Sequence, residues 1–98
     1  MAAVVFAIVQ LTNMNKLNDY IAHLLADPTV SLSSEITRDQ YQRTMDRQCG
    51  LLADGWTLAD AQRAGENNWE SVEGTSEVSR EQFIANGVGM LRAAQAVC

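Results

Sequence analysis

The chain has 98 residues, a formal net charge of −5, 47% hydrophobic residues, one proline and six glycines. That composition excludes a low-complexity or disordered chain, and the length sets one domain that buries about 60–65% of the surface its unfolded form exposes. Such a core has few side chains to spare for lining a deep cavity, and the acidic balance disfavours a phosphate-binding role.

The expected fold is all-α, a small bundle of four to five helices in a single domain over residues 1–98, with a long N-terminal helix as its spine. Residues 1–27 hold the densest apolar material. Read as one helix, Val4, Ile8, Leu11, Met14, Leu17, Ile21 and Leu24 match the spacings of three and four that a buried stripe requires. Read otherwise, a strand covers Val4 to Leu11 and a helix starts near Asn13 or Asn15, a choice favoured by the β-branched Val4, Val5, Ile8 and Val9. Val5, Phe6 and Val9 are additional to the stripe. They predict either burial inside one bundle or self-association, as in a homodimer or an assembly subunit. The apolar run lacks a basic flank and a clean cleavage pattern, and it is far short of the ~20 residues of a membrane span. An unprocessed, soluble, cytoplasmic protein with no membrane partner is the expectation.

Asp27-Pro28 ends the first element. Thr29 to Ser34 is a connector with two apolar pegs, Val30 and Leu32, or a very short strand. The next helix starts at a capping-box pattern, Thr37-Arg38-Asp39-Gln40, and carries its apolar stripe on Tyr41, Met45, Cys49 and Leu52. Asp54-Gly55 stops it. Thr57-Leu58-Ala59-Asp60 repeats the capping box and opens a short helix expected to end at Gly65, with Trp56 just before the cap. Glu66-Asn67-Asn68 reads as a turn, Trp69 to Val72 as a helical turn or loop peg, and Gly74-Thr75-Ser76 as a loop. Ser79-Arg80-Glu81-Gln82 is a third capping box. The helix after it buries Phe83, Ile84, Val88, Leu91 and Ala94, with Gly87 and Gly89 marking a kink or a close approach.

Two cysteines make no disulfide framework; Cys49 falls on an apolar stripe and Cys98 is the last residue, so two free thiols are expected. His23 is the sole histidine, and no metal-ligand spacing accompanies it. A Cys49–His23 nucleophile pair lacks an orienting group. Gly87-Val88-Gly89 lies in a helical pattern with no strand before it, so it is not a phosphate loop. No catalytic residue, cofactor or metal is predicted, and the chain reads as a non-enzyme.

A helix-turn-helix is suggested by Ala61 and Gly65, four apart. The next eight residues, Glu66 to Glu73, carry carboxylates where a recognition helix needs basic or amide groups, so direct nucleic-acid binding is disfavoured.

The charge is uneven. Residues 54–81 hold seven acids (Asp54, Asp60, Glu66, Glu70, Glu73, Glu77, Glu81) against Arg63 and Arg80. Trp56 and Trp69 flank the same stretch, and tryptophan is enriched where binding energy concentrates. The candidate protein-binding residues are therefore Trp56, Asp60, Glu66, Trp69, Glu70, Glu73 and Glu77. They imply a partner protein with a basic surface, which an inhibitor or adaptor would occlude. Bacteria and their phages often use small acidic domains this way, an analogy of type alone. A solvated acidic face that merely aids solubility is the plain alternative.

Overall fold

The computed structural model describes residues 15–98, and within them every regular element is a helix. Helix α1 covers residues 15–26, α2 Arg38–Ala53, α3 Leu58–Val72 and α4 Arg80–Val97. The all-helical bundle matches the expected class. The choice between helix and strand over residues 2–11, and so the length of the N-terminal spine, lies outside the described residues.

Helix α4 is the hub, packing against both α2 and α3. The core cluster joins Leu17, Tyr20 and Leu24 of α1, Tyr41 and Met45 of α2, and Ala93 and Ala94 of α4. In α1 the fully covered positions are Leu17, Tyr20 and Leu24, spaced three and four apart, while Ile21 lies at the margin. Tyr20 belongs in the core because its hydroxyl has an acceptor: it donates to the Met90 carbonyl at 3.1 Å. Burial, and secondarily Tyr41, pushes its phenol well above the usual tyrosine range.

Helix α1 gives way at Asp27-Pro28 to an ordered turn. Asp27 Oδ1 accepts from the Thr29 backbone N–H (2.9 Å) and hydroxyl (2.7 Å), and Oδ2 pairs with Arg92 of α4. The connector is a loop, with Val30, Leu32 and Ile36 packed against the core. Asn86 secures it by donating to Ser31 O and accepting from Ser31 N–H, each at 2.9 Å. That reciprocal pairing satisfies backbone groups which would otherwise be left unmatched beside the core. Gly89 lets the connector come close, since a Cβ there would overlap Val30 Cγ2. Of the two roles expected for this glycine, close approach is the one realised.

Helix α2 begins with the full capping box: Thr37 accepts from Gln40 N–H and Gln40 Oε1 accepts from Thr37 N–H. It ends in a Schellman arrangement. Gly55 N–H reaches Leu52 O, Trp56 N–H reaches Leu51 O, and Gly55 adopts φ +89°, which the turn requires. Tyr41 and Met45 are buried as expected, Cys49 and Leu52 only half so, and Gln48 is buried beside them.

Three sequence expectations are corrected. The short helix does not stop at Gly65; α3 continues to Val72, absorbing the turn placed at Glu66-Asn67-Asn68. Gly65 is a packing residue there, because a Cβ on it would lie 3.3 Å from Ile84 Cα and Cγ1. The third capping box is half formed: Ser79 accepts from Gln82 N–H, but the Gln82 amide donates to Thr29 O and to Asn86 instead. Cys49 and Cys98 are not free thiols. They form a disulfide with a Cα–Cα distance of 5.7 Å, joining α2 to the end of α4. In α4 itself Leu91 and Ala94 are buried as expected, whereas Phe83, Ile84 and Val88 are only half covered.

Candidate functional site

The acidic stretch resolves into two groups set apart along α3. At its start, Thr57 and Asp60 form the second complete capping box. Asp60 Oδ2 accepts from the Thr57 N–H at 2.8 Å, and Asp60 N–H returns a bond to Thr57 Oγ1 at 3.2 Å. Arg63, one turn on, pairs with the other carboxylate oxygen. The Thr57 N–H and hydroxyl, and after them Arg63, hold the Asp60 carboxyl below the usual aspartate range. Asp60 is therefore occupied with starting the helix. Asp54, Trp56, Asp60 and Arg63 line one shallow depression at this end.

The second group runs along the flank of α3. Glu66, Glu70 and Glu73 are spaced four and three apart on a continuous helix, Glu73 keeping helical backbone angles at the C-cap (φ −50°, ψ −43°). That spacing puts the three carboxylates in one row. Their inner counterparts, Ala61, Gly65 and Trp69, face α4. Glu70 and Glu73 are exposed and Glu66 half-exposed. Among the described residues none of the three has an ion-pair partner; the pairs formed are Arg43–Asp39, Arg63–Asp60 and Arg92–Asp27. Among the described residues Glu66 accepts only from Gln62, at 3.2 Å. Across the α3–α4 seam, Glu66 shares a depression with Arg80 and Glu81.

This row is locally unfavourable. Like charges four apart on a helix destabilise it by about 0.2–0.5 kcal/mol. Carboxylates near a C-terminus oppose the helix dipole, and the last turn of α3 contains no basic residue. The helix must therefore be held by its cap and by packing on α4.

The tryptophans divide. Trp69 turns inward, its ring 5.6 Å from that of Phe83 and tilted by 51°. Trp56 sits half-buried where α2 hands over to α3, next to the Asp60 end and not to the glutamate row. Glu77 lies exposed in the α3–α4 loop. The seven predicted residues thus do not form one patch: Glu66, Glu70 and Glu73 share a flank, Trp56 and Asp60 share the opposite end of the helix, and Trp69 is in the seam. Val5, Phe6 and Val9, expected to self-associate, lie outside the described residues.

The continuous α3 removes the turn that a helix-turn-helix needs between Gly65 and Trp69. His23 is exposed on α1, and Cys49 is tied up in the cystine. Among the described residues no cluster of His, Cys, Asp and Glu is arranged to hold a metal ion, and no helix is long and apolar enough to cross a membrane. Two buried polar residues went unanticipated in the sequence, Gln48 and Asn86. Each interrupts an otherwise apolar face, the only signal that could have flagged it. Comparison with family models, curated proteins and solved structures finds no match, so the geometry of the chain itself must carry the functional reading.

Proposed function

We propose that this protein is an acidic protein-binding module that docks on a basic surface of a partner protein, acting as an inhibitor or adaptor that occludes that surface. The row of Glu66, Glu70 and Glu73 on α3 carries the reading. Three carboxylates are aligned on one flank, without ion-pair partners among the described residues, and Glu70 and Glu73 stand against the dipole of their own helix. A partner rich in Arg or Lys would relieve that repulsion on binding, and the same field would speed its approach. Asp60 and Trp69 support the row indirectly, through the cap and the α4 seam, and Glu77 extends the negative surface beyond the helix end.

The cystine bears on where this happens. Disulfides persist in oxidising surroundings, so we place the protein in such a compartment and not in the cytoplasm that two free thiols implied.

The test is triple charge reversal, Glu66→Lys, Glu70→Lys and Glu73→Lys, with capture of partners from a host extract prepared without reductant. Wild type should retain basic proteins at low salt and release them as ionic strength rises, and the variant should retain none of them. Partner affinity and salt dependence that survive the reversal unchanged would remove this reading.

A further inference from the structure

The covered stripes of α2 and α4 stop short of the helix ends. In α2 the buried apolar side chains are Tyr41 and Met45, and beyond them Cys49 and Leu52 are only half covered. In α4 they are Leu91, Ala93 and Ala94, followed by the half-covered Val97 and the exposed Cys98. Among the described residues no hydrogen bond or ion pair joins α2 to α4. The polar links that α4 makes through Gln82, Asn86, Met90 and Arg92 run to α1 or to the segment after it. At this end the two helices are therefore held by apolar contact at the margin of the core and by the cystine.

The two sulfur-bearing residues are unlike. Cys49 packs against the core, whereas Cys98, at the C-cap of α4, is exposed. Thiol–disulfide exchange needs a thiolate to reach the sulfur it attacks, so access selects the site. Cys98 offers that access in the folded protein, and packing shields Cys49.

We propose that this cystine is a redox latch, opened in the folded protein by a dithiol reductant, whose opening loosens α2 from the end of α4 and leaves the core in place. A thiolate of the reductant attacks Cys98 Sγ, the bond to Cys49 breaks, and Cys49 leaves as a thiolate that takes up a proton. The reductant's second thiol then attacks its own sulfur in the mixed disulfide and expels Cys98, which is protonated in turn. Two electrons and two protons pass from the dithiol, which becomes a disulfide, to the cystine, which becomes two thiols. Leu52 and Val97 then lose the bond that keeps their helices together. Tyr20, Leu24, Tyr41 and Met45 keep their contacts, because Tyr20–Met90, Arg92–Asp27 and Asn86–Ser31 still tie α4 to α1 and the connector. The latch is separate from the glutamate row and does not depend on the reading given for it.

The probe is dithiothreitol added to the native protein, with free thiols counted over time by alkylation and mass spectrometry. Direct attack predicts a rate that rises about ten-fold for each ten-fold rise in dithiothreitol. A rate that ignores the dithiothreitol concentration and equals that of global unfolding overturns the latch, since the cystine then opens only in the unfolded chain. Glutathione followed by an iodoacetamide pulse locates the attack. Glutathione on Cys98 and carbamidomethyl on Cys49 are expected, and the reverse overturns the choice of Cys98. NMR of the reduced protein reads the consequence: ¹H–¹⁵N heteronuclear NOE values should fall over residues 50–53 and 94–97 and hold over residues 17–24 and 41–45. The double variant Cys49→Ser with Cys98→Ser, which cannot re-oxidise, should behave alike. Unchanged values over residues 50–53 and 94–97, or loss of dispersion throughout, overturn the local opening.

Discussion

The two sides of α4 are built differently. Toward α1, the connector and α2 it meets fully covered side chains: Tyr20 and Leu24 have at most 1% of their surface exposed. That side is also cross-linked, by Asn86 to Ser31, by Arg92 to Asp27 and by the cystine. Toward α3 it meets small or half-covered residues, and the only α3 side chain counted as buried is Ala61. One side therefore holds most of the stabilising burial. The other holds the repelling carboxylates. A helix that packs through small and half-covered residues can carry exposed charge on its outer flank without disturbing the packed side.

The strongest way to break this contrast is to cut the cross-link. Cys98→Ser opens a loop whose ends are 49 residues apart, so chemical denaturation should show a loss of about 4 kcal/mol. A loss under about 1 kcal/mol, well below the usual disulfide contribution, would mean that the packed side stands without it. Next in size, Leu24→Ala on the packed side should cost about 3 kcal/mol by the same measurement. Leu58→Ala at the start of α3, where the leucine is only half-buried, should cost about 1 kcal/mol. Equal values would erase the difference between the two sides.

Thr57→Ala removes the α3 cap and should cost about 1 kcal/mol. Native-state hydrogen exchange gives a finer measure: α3 amides should exchange faster than those of α4 already in wild type, and the variant should widen the gap. Uniform protection across both helices would contradict it.

The smallest effect is one of pH. The Thr29 hydroxyl and N–H, and after them Arg92, hold the Asp27 carboxyl below its ordinary value of 3.8. A lowered carboxylate pKa contributes stability that is complete above the unfolded value and is lost as pH falls through the folded one. Asp27→Asn should therefore be less stable than wild type at neutral pH, and the gap should close as pH falls through the folded-state value of Asp27. A gap that stays constant with pH would show that the Asp27 charge does not matter.

Much of the local structure was legible in the chain. Thr37 and Thr57 start helices because each presents a hydroxyl to a backbone N–H three residues on, with a Gln or Asp placed to return the bond. Gly55 ends α2 because a left-handed residue is needed there. Gly65 misled, since a glycine four residues after Ala61 looks the same whether it ends a helix or admits Ile84. Gln82 misled in a similar way. Its position fits a capping box, but Thr29 and Asn86, the first distant in sequence, offered its amide other partners. Of the candidate site, the row of Glu66, Glu70 and Glu73 was present as residues but hidden as a row until α3 proved continuous.

Short-range chemistry, then, is written along the chain. The helix starts at Thr37 and Thr57, the stop at Gly55 and the concentration of acid between residues 54 and 81 each depend on neighbours within a turn or two. Tertiary structure alone decided the pairing of Cys49 with Cys98, the burial of Tyr20, Gln48 and Asn86, and the passage of α3 through Gly65. Each of these depends on which helix faces come together, and that outcome is set by contacts between residues far apart in the chain.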